Sequence, residues 1–223
     1  IATMSDNPYY NRFYAYDMNM AQGSEYTYCA YFWDYYYTLI RLANDVIASM
    51  KPIINETGSE PEDIEFRHII GQAYAYRAWF YLDLARLFEP KLNKYTDVKH
   101  LLGLTVPIVD EFTTIEQTKN NPRVRRDSMY TFIFNDLNQA LELMDQSDKT
   151  FSRPTVNAIY GMMARAYLEL GYANDPAFPR EEAFTMASKY ARKVIDEGGF
   201  TPLTQAQWED PVNGFNNGSS NNA

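Results

Sequence analysis

The stretch GQAYAYRAWFYLDLARLFE, Gly71 to Glu89, is made of helix-forming residues yet carries apolar groups on two of its sides. Ala78, Leu82 and Ala85 are spaced by four and three and so share a face, which Gly71 and Ala75 extend toward the N-terminus. Residues this small let a neighbouring helix come close. Phe66, Ile70, Ala73, Phe80, Leu84 and Leu87 form a second stripe. A helix apolar on two sides packs between two partners, so the chain is expected to fold as a stack of helices.

Periodicity predicts five helices. The first runs from about Tyr28 to Met50, before Pro52, and the second from the acidic EPEDIE segment to about Glu89, before Pro90. A non-periodic stretch follows, and GLTVPIVDEF, rich in β-branched residues around Pro107, reads as an extended piece. The third helix opens near NPRVRRDS and reaches Met144. The fourth follows Arg153-Pro154 and ends at Gly171, read as its C-terminal cap. The fifth spans about Arg180 to Glu197 and stops at Gly198-Gly199. The boundaries expected are a helical repeat domain over 1–203, its N-terminal loop 1–27 included, and a polar tail over 204–223.

The four-three spacing recurs as Ile133, Leu137 and Ala140, and again as Ala187, Ala191 and Val194, at offsets of 133−78=55 and 187−133=54. It resembles the second-helix signature of a tetratricopeptide repeat. Trp33, Tyr36, Tyr37 and Ile40, and Tyr160, Met163, Ala164 and Tyr167, follow the three-one-three spacing of the first-helix signature. The usual period is about 34 residues, so inserted loops stretch these repeats. A plain helical bundle is the alternative. The fold class expected is therefore mainly α, with stacked helix pairs of tetratricopeptide-like type and long inserted loops.

Composition excludes some functions. Asp and Glu number 29 against 20 Lys and Arg, a net charge of −9, which argues against a nucleic-acid-binding face. Cys29 is the one cysteine, so neither an intrachain disulfide nor a cysteine-based metal cluster can form. No apolar run reaches the length a transmembrane helix needs. His68 and His100 are the only histidines and sit in no zinc-binding spacing; no nucleophile elbow, phosphate-cradling glycine loop or dinucleotide fingerprint is present. Nothing calls for a cofactor or a metal, and paired carboxylates alone give a glycosidase no positive support.

Four blocks carry a closer resemblance. AYAYRAWFYLDLARLFE followed by GLTVPIV, RRDSMYTFIFNDLNQALELM, the pair PTVNAIYGMMARAYLELG and ASKYARKVIDEGGFTPL, and Trp33, Tyr37, Ile40, Ala43 and Asn44 are similar, in their order along the chain, to helices of the SusD/RagB family. They cover most of residues 28–203. The resemblance implies a surface lipoprotein of the Bacteroidota outer membrane that binds glycans without catalysis. It also implies a SusC-like TonB-dependent transporter as partner in oligosaccharide uptake. Members of the family are about twice as long, so this chain is expected to be the N-terminal, repeat-bearing portion, with the lipid anchor and a later loop-rich half lying outside it. A tetratricopeptide-type scaffold that binds a protein or peptide is the alternative.

Glycan binding also suits the 19 Tyr and 13 Phe. A sugar ring presents C–H groups on one face and hydroxyls around its edge; flat aromatic rings cover the former, and Asp, Asn, Arg and Tyr hydroxyls bond the latter. The segment MSDNPYYNRFYAYDMNMAQGSEYTY holds that mixture, and Tyr10, Arg12, Tyr14, Tyr26 and Tyr28 are its candidate ligand contacts. By position, the resemblance adds Asp6, where the family often has an acidic residue on the ligand side. Packing of these tyrosines onto the bundle is the competing reading. Arg77 inside the helical stripe is expected to pair with a protein carboxylate, and Asp136 to be a structural partner. Arg123, Arg125 and Arg126 read as a solvated or docking surface.

Overall fold

A computed structural model describes residues 27–53, 61–94, 96, 99–148, 150 and 152–214. Among them seven α-helices and no strand occur: α1 Thr27–Met50, α2 Pro61–Phe88, α3 Ile115–Thr118, α4 Arg126–Leu143, α5 Val156–Ala173, α6 Arg180–Glu197 and α7 Gln205–Glu209. The five long helices stand where periodicity placed them. The two short ones, each opened by a threonine in a capping box, lie in segments read as loop and tail. The chain forms two compact units, the first ending at Ile159 and taking in Asp175–Ala177, the second holding Tyr160–Asn174 and everything from Phe178.

In the first unit α2 packs on both α1 and α4. Residues paired between α1, with Lys51 just past its end, and α2 (Tyr36 with Asp83, Asn44 with Arg77, Lys51 with Tyr74) run in opposite senses, so the two helices are antiparallel. Arg77 with Asp136 and Tyr81 with Phe132 give α2 and α4 the same relation. The small-residue stripe sits inside as expected: Ala75, Ala78, Leu82 and Ala85 are all buried. A Cβ on Gly71 would lie 2.5 Å from Met144 Cγ and 3.2 Å from the Met144 backbone nitrogen, so glycine is what lets the end of α4 approach. The second stripe needs correction. Ile70, Ala73 and Leu84 are buried, but Phe66 and Phe80 are half-covered and Leu87 is 54% exposed.

One charge lies at the centre. Arg77 is 2% exposed; its Nε and Nη2 donate to the two Asp136 oxygens at 2.8 Å each, and its Nη1 donates to Asn44 Oδ1 at 2.7 Å and Glu111 Oε2 at 2.6 Å. The guanidinium carbon lies 5.2 Å from the Tyr74 ring centre and 5.0 Å from that of Phe132. Burial works against its charge, and the bonds to Asp136 and Glu111 outweigh that penalty. Asp136 is pushed up to about 6, by burial first, despite its bonds to Arg77.

The basic run is a structural tie rather than a solvated surface. Arg123 Nη1 donates to the Phe88 carbonyl at 3.0 Å, capping the end of α2, and to the Thr105 carbonyl at 2.6 Å. Arg126 pairs with buried Glu89 through Nε at 2.7 Å and with Asp175 at 3.1 Å. Arg125 alone is exposed, beside Asp127. His68 is buried with ring bonds to Asp148 and to the Asp145 backbone N–H, which donates to Nδ1 at 3.0 Å.

In the second unit Tyr190 of α6 lies near-parallel to Tyr160 and Tyr167 of α5, at 6.0 and 5.8 Å. Gly171 is not the cap of α5. The helix runs on to Ala173, and Asn174 takes the left-handed turn at φ 51°. Gly171 is instead a close approach, because a Cβ there would meet the Phe184 ring at 2.5 Å.

Two substitutions test this packing. Ala78→Leu should destabilise the protein by about 1–3 kcal/mol through overpacking, read as a lower denaturant midpoint; an unchanged midpoint would refute the close approach at Ala78. Arg77→Met, which strands the Asp136 and Glu111 carboxylates, should cost about 3–5 kcal/mol. Arg77→Lys should restore little, since an ammonium cannot replace the guanidinium fork that meets both Asp136 oxygens.

Candidate functional site

Once α1 and α2 lie antiparallel, aromatic residues outside their packed faces meet. On α1, Tyr31, Phe32, Tyr35 and Tyr36 fall at i, i+1, i+4 and i+5; on α2, Tyr76, Trp79 and Phe80 fall at i, i+3 and i+4. Tyr31 lies near-parallel to Tyr35 at 6.0 Å, Tyr35 meets Tyr36 edge-on at 5.5 Å, and Tyr36 bridges the helices to Phe80 at 6.1 Å. The run of rings is continuous, and Tyr31 and Trp79 are 59% and 40% exposed. At its centre Tyr36 Oη donates to Asp83 Oδ2 at 3.1 Å.

The rings of Tyr76, Trp79 and Phe80 are near-parallel, with planes 13–23° apart and centres 5.8, 6.2 and 6.4 Å from one another. Near-parallel rings with centres within about 4.5–7 Å of one another are offset stacks, so the three form one aromatic block that carries the exposed Trp79.

A second feature is the connection from α2 to α4. Gly103, at φ +76°, turns the chain, and Leu104 and Arg125 form an isolated antiparallel bridge, with Thr105 N–H donating to the Val124 carbonyl at 2.8 Å. The extended piece expected around Pro107 is present as this bridge and not as a strand. Beyond it the helices hold the loop. Tyr37 Oη donates to the Pro107 carbonyl at 2.6 Å, and Asn44 Nδ2 to the Val109 carbonyl at 3.0 Å. Tyr81 Oη both donates to the Val109 carbonyl at 2.9 Å and accepts the Val109 N–H at 2.7 Å. Burial pushes the Tyr37 and Tyr81 hydroxyls far up, so both stay neutral donors. Arg77 bonds Glu111, the residue before Phe112. Past this clamp an open cup of about 460 Å³ forms, lined by Ile108, Asp110, Phe112, Thr113, Glu116, Gln117, Asn120 and Asn121.

Asp6, Tyr10, Arg12, Tyr14 and Tyr26 lie outside the described residues. Tyr28 stands in the first turn of α1, and its side chain is outside them too. The sequence reading missed Trp79 and its neighbours as surface groups. Their spacing was visible; the pairing of α1 with α2 that joins seven rings was not. Among the described residues no group of three or more His, Cys, Asp or Glu side chains could hold a metal ion.

Residues 2–168 match the SusD-like family described as starch-binding associating with outer membrane. A SusD-like protein of Bacteroides ovatus is 25% identical over 173 residues, 77% of this chain and 28% of that protein. A SusD-like carbohydrate binding protein from Bacteroides vulgatus has the same fold, with a TM-score of 0.58 at 22% identity over 79% of this chain and 33% of its own. A crystal structure with xylogluco-oligosaccharide gives a TM-score of 0.54 at 24% identity, over 77% of this chain and 30% of its own. The chain thus spans about 28% of the length of the curated relative it matches. Helix pairs, their order and a family match over most of the sequence lead to one assignment: this chain belongs to the SusD-like family.

Proposed function

We propose that the chain is the repeat-bearing part of a non-catalytic, glycan-binding surface lipoprotein that works with a SusC-like TonB-dependent transporter in oligosaccharide uptake. The observation that carries the proposal is the continuous run of rings on α1 and α2, with Tyr31, Phe32, Tyr35 and Trp79 exposed, in a chain of this family. A contiguous exposed apolar patch marks a binding surface. Aromatic rings suit the C–H face of a pyranose, while Tyr hydroxyls and Asp83, at the middle of the run, supply hydrogen-bond partners. Residues Asp6, Tyr10, Arg12, Tyr14, Tyr26 and Tyr28 precede or open α1, and we place them on the same platform. Association with the outer membrane agrees with the family description, and lipid anchoring is part of the proposal on the family resemblance alone. No described helix is long and apolar enough to cross a membrane.

Calorimetry with the complete protein tests this. Maltoheptaose, a xyloglucan oligosaccharide and laminarihexaose serve as probes. At least one should bind and emerge uncleaved. Each lost stacking contact removes about 0.5–1.5 kcal/mol, so the Trp79→Ala and Tyr31→Ala variants should each bind several-fold more weakly with an unchanged melting temperature. The Tyr26→Ala/Tyr28→Ala double variant should lose several-fold to tens-fold. Absence of binding to all probes, together with capture of a peptide by the aromatic face, would favour the scaffold reading instead.

A further inference from the structure

We propose that the cup beside the α2–α4 connection is a second carbohydrate subsite, separate from the aromatic face, which takes one neutral sugar unit against Phe112. This rests on the glycan-binding reading above. Its volume of about 460 Å³ falls in the range of small-ligand pockets. The lining departs from the usual apolar pattern of such pockets: amide, carboxylate and hydroxyl groups of Asp110, Thr113, Glu116, Gln117, Asn120 and Asn121 surround one aromatic ring and one aliphatic side chain, Ile108. That chemistry rejects a greasy ligand and suits a polyhydroxylated one, with one ring for its C–H face and short polar groups for its hydroxyls. The lining carries two carboxylates, Asp110 and Glu116, and no cation; the nearby Lys119 is paired with Glu116 at 2.6 Å and Lys51 with Glu111 at 3.8 Å, so the cup disfavours an anionic ligand.

The cup is also built in advance. An exposed loop ordinarily loses affinity to the entropy of ordering. Here the backbone from Pro107 to Val109 is fixed by Tyr37, Asn44 and Tyr81, and Glu111 is fixed by Arg77. Asn121 Nδ2 donates to the Ile108 carbonyl at 2.7 Å, and Asp110 Oδ1 accepts from the Thr113 hydroxyl and the Phe112 N–H. Buried helical side chains are spent on a loop whose next residue, Phe112, is left 74% exposed. Lys51 Nζ stands 5.9 Å from that ring's centre. A ring so exposed on a backbone so held is placed for a ligand rather than for the core.

The test uses the complete protein and the same three oligosaccharides. Phe112→Ala and Asn120→Ala should each weaken binding of the probe that binds, by about 3- to 10-fold for the ring, with melting temperatures equal to the parent's. Phe112→Tyr should retain the affinity, since it keeps the ring face. If a probe binds and neither alanine variant changes its affinity, the cup subsite is refuted while the glycan-binding reading stands. If no probe binds at all, both are overturned.

Discussion

The architecture of the first unit depends on one buried guanidinium. Taking Arg77 out of water costs several kcal/mol unless every donor finds a partner. Its partners come from three other places: Asn44 on α1, Asp136 on α4 and Glu111 in the connection between helices. The three must arrive together, with Tyr74 and Phe132 closing over the group. A one-turn slip of α1 or α4 along α2 would strand a charge inside the protein. Small residues allow the helices to come close but tolerate sliding, because one alanine stripe fits another at several registers. Arg77 fits at one.

The same residue explains why the long connection has a defined path. Extended backbone without a neighbouring strand leaves its N–H and C=O groups unpaired, and Pro107 brings no N–H at all. The helices supply the missing partners from side chains that could otherwise have been apolar: Tyr37, Asn44 and Tyr81 meet Pro107 and Val109. Hydroxyls and amides in a helical core are unfavourable unless satisfied. Their presence makes sense as the complement of the loop, so that the helix stack and loop shape are one structure.

What could be read in the sequence follows from the range of each interaction. Helices show in local periodicity, and the stripe of Ala78, Leu82 and Ala85 is buried as its spacing required. The pairing of Arg77 was legible in kind, since a charge inside an apolar stripe needs a carboxylate. Gly171 was misread because glycine serves both caps and close approaches; only the Phe184 ring above it separates the two. The arginines at 123 and 126 looked like surface because Phe88, Thr105, Glu89 and Asp175 lie 18 to 49 residues away along the chain. Candidate sugar contacts were sought where aromatic residues crowd together in sequence. The aromatic face is instead assembled from two helices whose rings are 40 or more residues apart, and the cup from a loop whose path also depends on Tyr37, Asn44, Arg77 and Tyr81, far from it in sequence.

The mixture of alanine and bulky aromatics in α2 now has a physical account. The helix has three sectors. Small residues and leucines admit α1 and α4, Arg77 fixes the register between them, and Tyr76, Trp79 and Phe80 face outward. The outward sector is the one folding does not require, since a surface helix is more stable in water with charged residues there. Its geometry bears on what covers it. A helical protein partner packs by ridges entering grooves, and the stacked rings of Tyr76, Trp79 and Phe80 occupy one turn of α2 as a single block. Such a block is not a row of separate knobs and gives a helix little to lock into. A pyranose, flat on its C–H face and closed off by hydroxyls at its rim, loses little by lying on it.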